Sequence, residues 1–379
     1  MRLNSVIFSS LFAFLLVNCG GQTLSLDEVQ QKSPLVPIEL QVDGAPTKSI
    51  LLGFEPYLTQ FNYSTEEAFY SELNRYFNRA KSESYIVKDN TVVILPEYLG
   101  TWLAVAEEDK SLFAEDSLES AMTGLVTNHI FSFLTTYLFG KSHADDSLKE
   151  SLFQMKANSM AKIYQSVFSR LASEYGVGIV AGSIVLPHPE VINGRIHITD
   201  GPLENVSFFF HSDGSVDSKV SRKIYPTADE SPFLAAGQLA DNPIYDTPIG
   251  KMSTVICADS WYPDVYQSLA NVDVVAIPSL ITPANSYNSS WPGYSGFDNP
   301  KDVDLKDLGN ITEKQAWQKY AMSSRIKSTN VKAGMNVFFR GHIFDLDSNG
   351  DTQLYLYGKN LKQALTTDKV SGRIYVMFL

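Results

Sequence analysis

The sequence is poor in sulfur. Its 379 residues include two cysteines, Cys19 and Cys257, which excludes a disulfide framework and a cysteine-built zinc centre. Histidine is scarce too: His129, His143, His188, His197, His211 and His342 show neither helical-pair nor H-x-H spacing, so no protein-built transition-metal site is expected. Basic charge is outweighed, 30 Lys and Arg against 42 Asp and Glu, for a formal net charge of −12. Nucleic acid and anionic membrane surfaces select basic faces and are not expected as main partners. What is present is core-forming material, 44% hydrophobic against 19% charged residues. That balance excludes disorder as the main character and suffices for one large domain or two ordinary ones.

The apolar run Val6–Val17 has 12 residues, short of the roughly 20 that span a bilayer but the length of a signal-peptide core. The following Leu16-Val17-Asn18-Cys19 resembles a bacterial lipobox, which implies cleavage before Cys19 and a diacylglycerol on its sulfur. Asn18 and the single Arg2 depart from that pattern, and an ordinary secretory peptide or an uncleaved anchor is the alternative. On the lipobox reading the protein is exported and held to a membrane through Cys19. Residues 1–18 are then signal peptide, 19–48 a surface tether and 49–379 the folded domain.

Along that domain, helical periodicity appears at Phe69, Leu73, Tyr76, Phe77 and Ala80, with Ser64 and Glu67 spaced as a capping box. It appears again at Met160, Ile163, Tyr164, Val167 and Leu171, ending at Tyr175-Gly176. Continuous apolar runs at 91–95, 178–186, 254–257 and 274–277 read as strands buried on both faces. Asp213-Gly214 and Asn349-Gly350 signal hairpins, a helix is expected at about 312–329, and a strand closes the chain at 373–379. Alternating helices and strands imply a layered α/β fold. Residues about 103–158 look like a helical insertion. Its stretch His129–Phe139 is apolar nearly all round, as for a buried helix, a subunit contact or a lid over a site.

Three strand-end residues stand out: Glu97 after the 91–95 run, Lys223 in Ser221-Arg-Lys-Ile-Tyr-Pro226, and Cys257 at the end of 254–257. Singly, each has an ordinary reading as a solvated strand end, a surface lysine and a small core residue. Together and in this order they resemble the nitrilase, or carbon-nitrogen hydrolase, superfamily. The blocks are Ile94-Leu-Pro-Glu97-Tyr98, Arg222-Lys223-Ile224 with Glu230 downstream, and Cys257-Ala-Asp259-Ser-Trp261-Tyr-Pro263-Asp264. Gly53-Phe-Glu-Pro56 lacks the family's usual opening, and the crossover from Glu97 to Gly178 is longer than the family core needs.

The resemblance implies a four-layer αββα sandwich, paired into homodimers or higher homo-oligomers, and hydrolysis of a small amide, nitrile or carbamoyl compound with no metal or organic cofactor. It implies Cys257 as nucleophile, Glu97 as general base and acid, and Lys223 with the Ala258 N–H as donors to the developing charge. Glu230 would balance and orient the lysine, or be a plain loop carboxylate. Asp259 would fix the turn after the nucleophile, and Tyr98 or Trp261 would wall the pocket. Two other readings keep the same residues: an N-acyltransferase that hands the thioester's acyl group to an amine, and a surface binding protein with a vestigial triad. Asn62, Asn205, Asn288 and Asn310 head formal glycosylation sequons.

Overall fold

The computed structural model describes residues 21–33, 35–365 and 370–379. The signal-peptide reading and Cys19 fall outside these residues.

Two sheets lie face to face. In the first, the order is Ile38–Asp43, Gly372–Phe378, Ile50–Glu55, Thr91–Ile94, Gly178–Val180, Leu203–Phe210 and Val216–Arg222, with Ile184–Pro187 also paired to Leu203–Phe210. Its centre is parallel, and Leu52, Val93 and Ile179 share one row. In the second, the order is Ile244–Thr247, Gly250–Thr254, Val274–Ser279, Ala333–Phe338, Gln353–Leu356 and Lys359–Asn360. Leu51, Val92, Ile94, Val180 and Phe209 pack across the interface against Met252, Ala276, Met335 and Val337. The outer face of the first sheet is covered by helices Glu66–Ser82 and Ser147–Tyr175. That of the second is covered by Pro263–Gln267, Glu313–Tyr320 and Met322–Arg325. The result is the αββα layering that the resemblance implied. Strands buried on both faces explain why the sequence reads as continuous apolar runs rather than alternation. The sheets approach closely at Gly53, where a Cβ would lie 2.4 Å from the Met335 sulfur.

Several expectations are corrected. The tether reading fails for residues 26–32 and 38–43: Ser25 and Glu28 form a capping box on helix Leu26–Lys32, and Ile38–Asp43 pairs in parallel with the C-terminal strand. Its partner is too distant in sequence to leave a local signal. The first long helix is capped by Thr65, whose hydroxyl accepts from the Ala68 N–H, not by Ser64. The 178–186 run is two strands, broken where Gly182 adopts φ +69°. Asn349-Gly350 links two sheets instead of closing a hairpin, because Leu346–Ser348 pairs backwards with Arg340–Ile343 while Gln353–Leu356 joins Ala333–Phe338. The expected 312–329 helix breaks at Ala321, in extended backbone, so that Met322 and Ile326 bury in the outer core.

Within 103–158 lie helices Leu118–Asn128 and Ile130–Phe139 and the start of Ser147–Tyr175. The buried-helix reading of 130–139 is also corrected: only Phe133 is buried, while Phe131 is 68% and Phe139 83% exposed. Among the described residues, no helix is long and apolar enough to cross a membrane.

Candidate active site

The three strand-end residues converge. Glu97 follows Thr91–Ile94 and Lys223 follows Val216–Arg222, both in the first sheet. Cys257 follows Gly250–Thr254 of the second sheet and opens a 3-10 turn, Cys257–Trp261. Carboxyl ends of strands in an open α/β sheet are where the layers leave a crevice. Cys257 holds φ +46°, a left-handed conformation that costs a non-glycine residue on the order of 1–2 kcal/mol and that the surrounding contacts must sustain.

Lys223 Nζ is 2.8 Å from Glu97 Oε1 and 2.6 Å from Glu230 Oε2, and all three side chains are nearly inaccessible to solvent. The Asn205 amide donates to Glu97 Oε1 at 3.0 Å and to Glu230 Oε1 at 3.3 Å. Glu230 also accepts from the Tyr98 hydroxyl at 2.6 Å and the Thr227 N–H at 2.8 Å. The Cys257 thiol lines the same cavity as Glu97 and Lys223, and its sulfur lies 3.6 Å from the Leu280 carbonyl oxygen.

Burial lifts the Glu97 carboxyl above its usual range, against the pull of Lys223. Burial would lower the Lys223 ammonium, but Glu230 and Glu97 outweigh it and hold the lysine charged. Glu230 stays below its ordinary value because Lys223 and the hydrogen bonds to it overcome its own desolvation. Burial and the Glu97 charge push the Cys257 thiol well up despite Lys223. Burial and Glu97 thus favour a neutral Cys257 thiol at rest over a standing thiolate.

Asp259 ties the turn to the lysine strand, accepting from the Ile224 N–H at 3.0 Å, the Tyr225 N–H at 2.7 Å and the Ile256 N–H at 3.4 Å. Burial raises its carboxyl to about 7. A cavity of about 1380 Å³ opens onto the cluster, and Tyr98, Ala258, Trp261, Glu97, Lys223 and Cys257 all line it.

Two partners escaped the sequence reading. Asn205 presented itself as a glycosylation sequon, yet it is buried beside both glutamates, and Asn62 is buried as well. The available signal was a polar residue inside the apolar strand Leu203–Phe210, on the face opposite Val206, Phe208 and Phe210. The other is Ser183, whose hydroxyl accepts from the Tyr98 N–H at 2.8 Å. It stands there because Gly182 turns the chain beneath Pro96.

A family model described as carbon-nitrogen hydrolase matches residues 59–295, a span that contains every residue of this cluster. The chain belongs to the carbon-nitrogen hydrolase family. Two curated relatives match over shorter stretches: a probable hydrolase, YhcX, from Bacillus subtilis, 25% identical over 121 residues, and nitrilase 3 from Arabidopsis thaliana, 29% identical over 125. These stretches cover 32% and 29% of this chain, and only 21% and 35% of the relatives' own lengths. Among solved structures, an amidase from Nesterenkonia sp. AN1, described with acrylamide added at its active-site cysteine, superposes with a TM-score of 0.50 at 11% identity. The match covers 87% of this chain and 93% of that one. A second form of that amidase, carrying the acetamide moiety of fluoroacetamide on the same cysteine, gives 0.50 over 88% and 92% at 11% identity. The family is named for hydrolysis of carbon-nitrogen bonds.

Proposed function

We propose that this carbon-nitrogen hydrolase cleaves an amide through a thioester on Cys257. The observation that carries the reading is the buried cluster in which one ammonium lies between two carboxylates, on the same cavity wall as the thiol. On this reading Glu97 takes the thiol proton as sulfur attacks the amide carbon. Negative charge grows on the substrate oxygen, where Lys223 and the Ala258 N–H stabilise it; one such donor is worth on the order of 10²- to 10³-fold in rate. Glu97 passes its proton to the leaving amine, the C–N bond breaks, and the acyl group stays on sulfur. Glu97 then takes a proton from water as the hydroxyl attacks the thioester. The carboxylic acid leaves and the thiol is restored. Glu230 keeps Lys223 charged and fixed, since one ammonium held by two carboxylates is less costly to bury than one left alone. The covalent adducts on the active-site cysteine of the Nesterenkonia amidase support this assignment.

The test is Cys257→Ala. Hydrolysis of simple amides and the mass-detectable acyl adduct should both disappear; retention of either overturns the reading. We also propose, on the strength of Leu16–Cys19, that the protein is exported and anchored by lipid on Cys19. Metabolic labelling with an alkynyl fatty acid should mark the wild-type protein and not Cys19→Ser, and equal labelling of both overturns the anchor.

A further inference from the structure

The cavity over Cys257 is far larger than simple amide chemistry needs. Pockets of about 300–1,000 Å³ enclose drug-sized ligands, and this one measures about 1380 Å³. Its far wall is built by the helical segment and not by the sheets. Helix Leu118–Asn128 turns Leu118, Met122 and Val126 to the cavity, an i, i+4, i+8 stripe. The long helix adds Leu148 and Leu152, and Phe133 comes from between them. Stripes of this kind ordinarily pack against another element; here they face open space that runs to the nucleophile. Charge on the wall is one-sided. Outside the Glu97, Lys223 and Glu230 cluster, the carboxylate and ammonium side chains of the lining are Glu119, Asp146, Asp229, Glu313, Asp345 and Lys149, and that lysine is 3.1 Å from Asp146.

We propose that the substrate is an amide bearing a long, uncharged apolar group, an alkyl or arylalkyl chain, which lies against the stripe Leu118, Met122 and Val126 while the amide carbon meets Cys257. The inference rests on the amide-hydrolase reading and names its substrate class. Apolar groups leaving water for such a wall gain roughly threefold to fourfold per methylene. A chain ending in a carboxylate meets acidic residues, and among the described lining residues both lysines, Lys149 and Lys223, are already paired with carboxylates.

The experiment compares acetamide, hexanamide, decanamide and the decanamide analogue with a terminal carboxylate. It reads kcat/KM, acyl adduct on Cys257 by mass spectrometry, and equilibrium binding to Cys257→Ala by calorimetry. Expected are a rise on the order of 10²-fold in kcat/KM from acetamide to hexanamide, a further rise to decanamide, and at least about tenfold weaker binding of the carboxylate analogue. Met122→Glu and Val126→Trp, each checked for folding by thermal denaturation, should lower the decanamide to acetamide ratio at least about tenfold. Turnover that is flat or falls with chain length, in protein that acetamide acylates, overturns the inference and leaves the hydrolase reading standing. If no amide acylates Cys257, the hydrolase reading fails. Binding to Cys257→Ala then decides the pocket alone: affinity that grows with chain length upholds it, and affinity that does not overturns it.

Discussion

Asn205 has two glutamates to serve with one amide group, and its loss should be read in the pH profile. The Glu97 carboxyl is raised by burial, and the reaction needs it charged, so kcat/KM should climb with pH through a value above the ordinary carboxylate range. Asn205 donates to the charged form, which lowers that value. Asn205→Ala should therefore move the acid limb to higher pH and cut kcat/KM at pH 6 by about 10- to 100-fold, the worth of a hydrogen bond to a charged group. An acid limb that stays in place contradicts this role. Glu97→Gln should remove the limb and most of the activity. Glu97, Lys223 and Cys257 were legible because each follows a buried strand inside a recognisable block. Asn205 was not, because what it does depends on two residues 108 and 25 positions away, and locally it looks like a surface sequon.

At the scale of elements, Gly182 sets the geometry beneath Glu97. A Cβ there would lie 2.2 Å from the Pro96 carbonyl oxygen at a φ of +69°, and backbone atoms cannot yield as a side-chain tip can. Gly182→Ala should cost more than about 2 kcal/mol in urea unfolding and lower activity as well, since Pro96 directly precedes Glu97; wild-type stability would refute the argument. The helical wall has its own anchor. Glu108 is buried between Lys156 Nζ at 2.6 Å and His129 Nε2 at 2.7 Å, which joins the entrance of helix Ile130–Phe139 to the long helix. Lys156→Met leaves a buried carboxylate with one partner, and removing a partner from a buried pair costs about 3–5 kcal/mol. Hydrogen exchange should show the loss first in residues 130–139. Periodicity located the long helix and composition the 130–139 stretch, but not the exposure of the latter, because an all-apolar helix carries no face to read. Gly182 was equally hidden, lying within what looked like one continuous strand.

Over the whole molecule, burial raises several acids together. Asp259 and Glu313 both reach about 7, and Glu55, Glu72 and Glu97 are raised as well, desolvation leading in each case. A folded state that holds protons more tightly than the unfolded chain is most stable below the unfolded pKa values and loses that advantage as pH rises through the folded ones. The net charge of −12 adds repulsion in the same direction. Between pH 5.5 and pH 8 the protein should lose on the order of 1–2 kcal/mol, a few degrees in Tm, and a melting profile that rises over this range contradicts the linkage. A layered α/β plan was legible because apolar strands and helices alternate, and the family resemblance supplied its four-layer order. The edge of the first sheet was not, because its strands come from opposite ends of the chain. There the last strand, Gly372–Phe378, lies between the first, Ile38–Asp43, and the second, Ile50–Glu55. Ile38–Asp43 has no partner in this sheet except Gly372–Phe378, so this edge closes through a pairing that spans most of the described residues; pairings so distant in sequence are slow to form, and hydrogen exchange during refolding should protect this edge after the centre of the sheet.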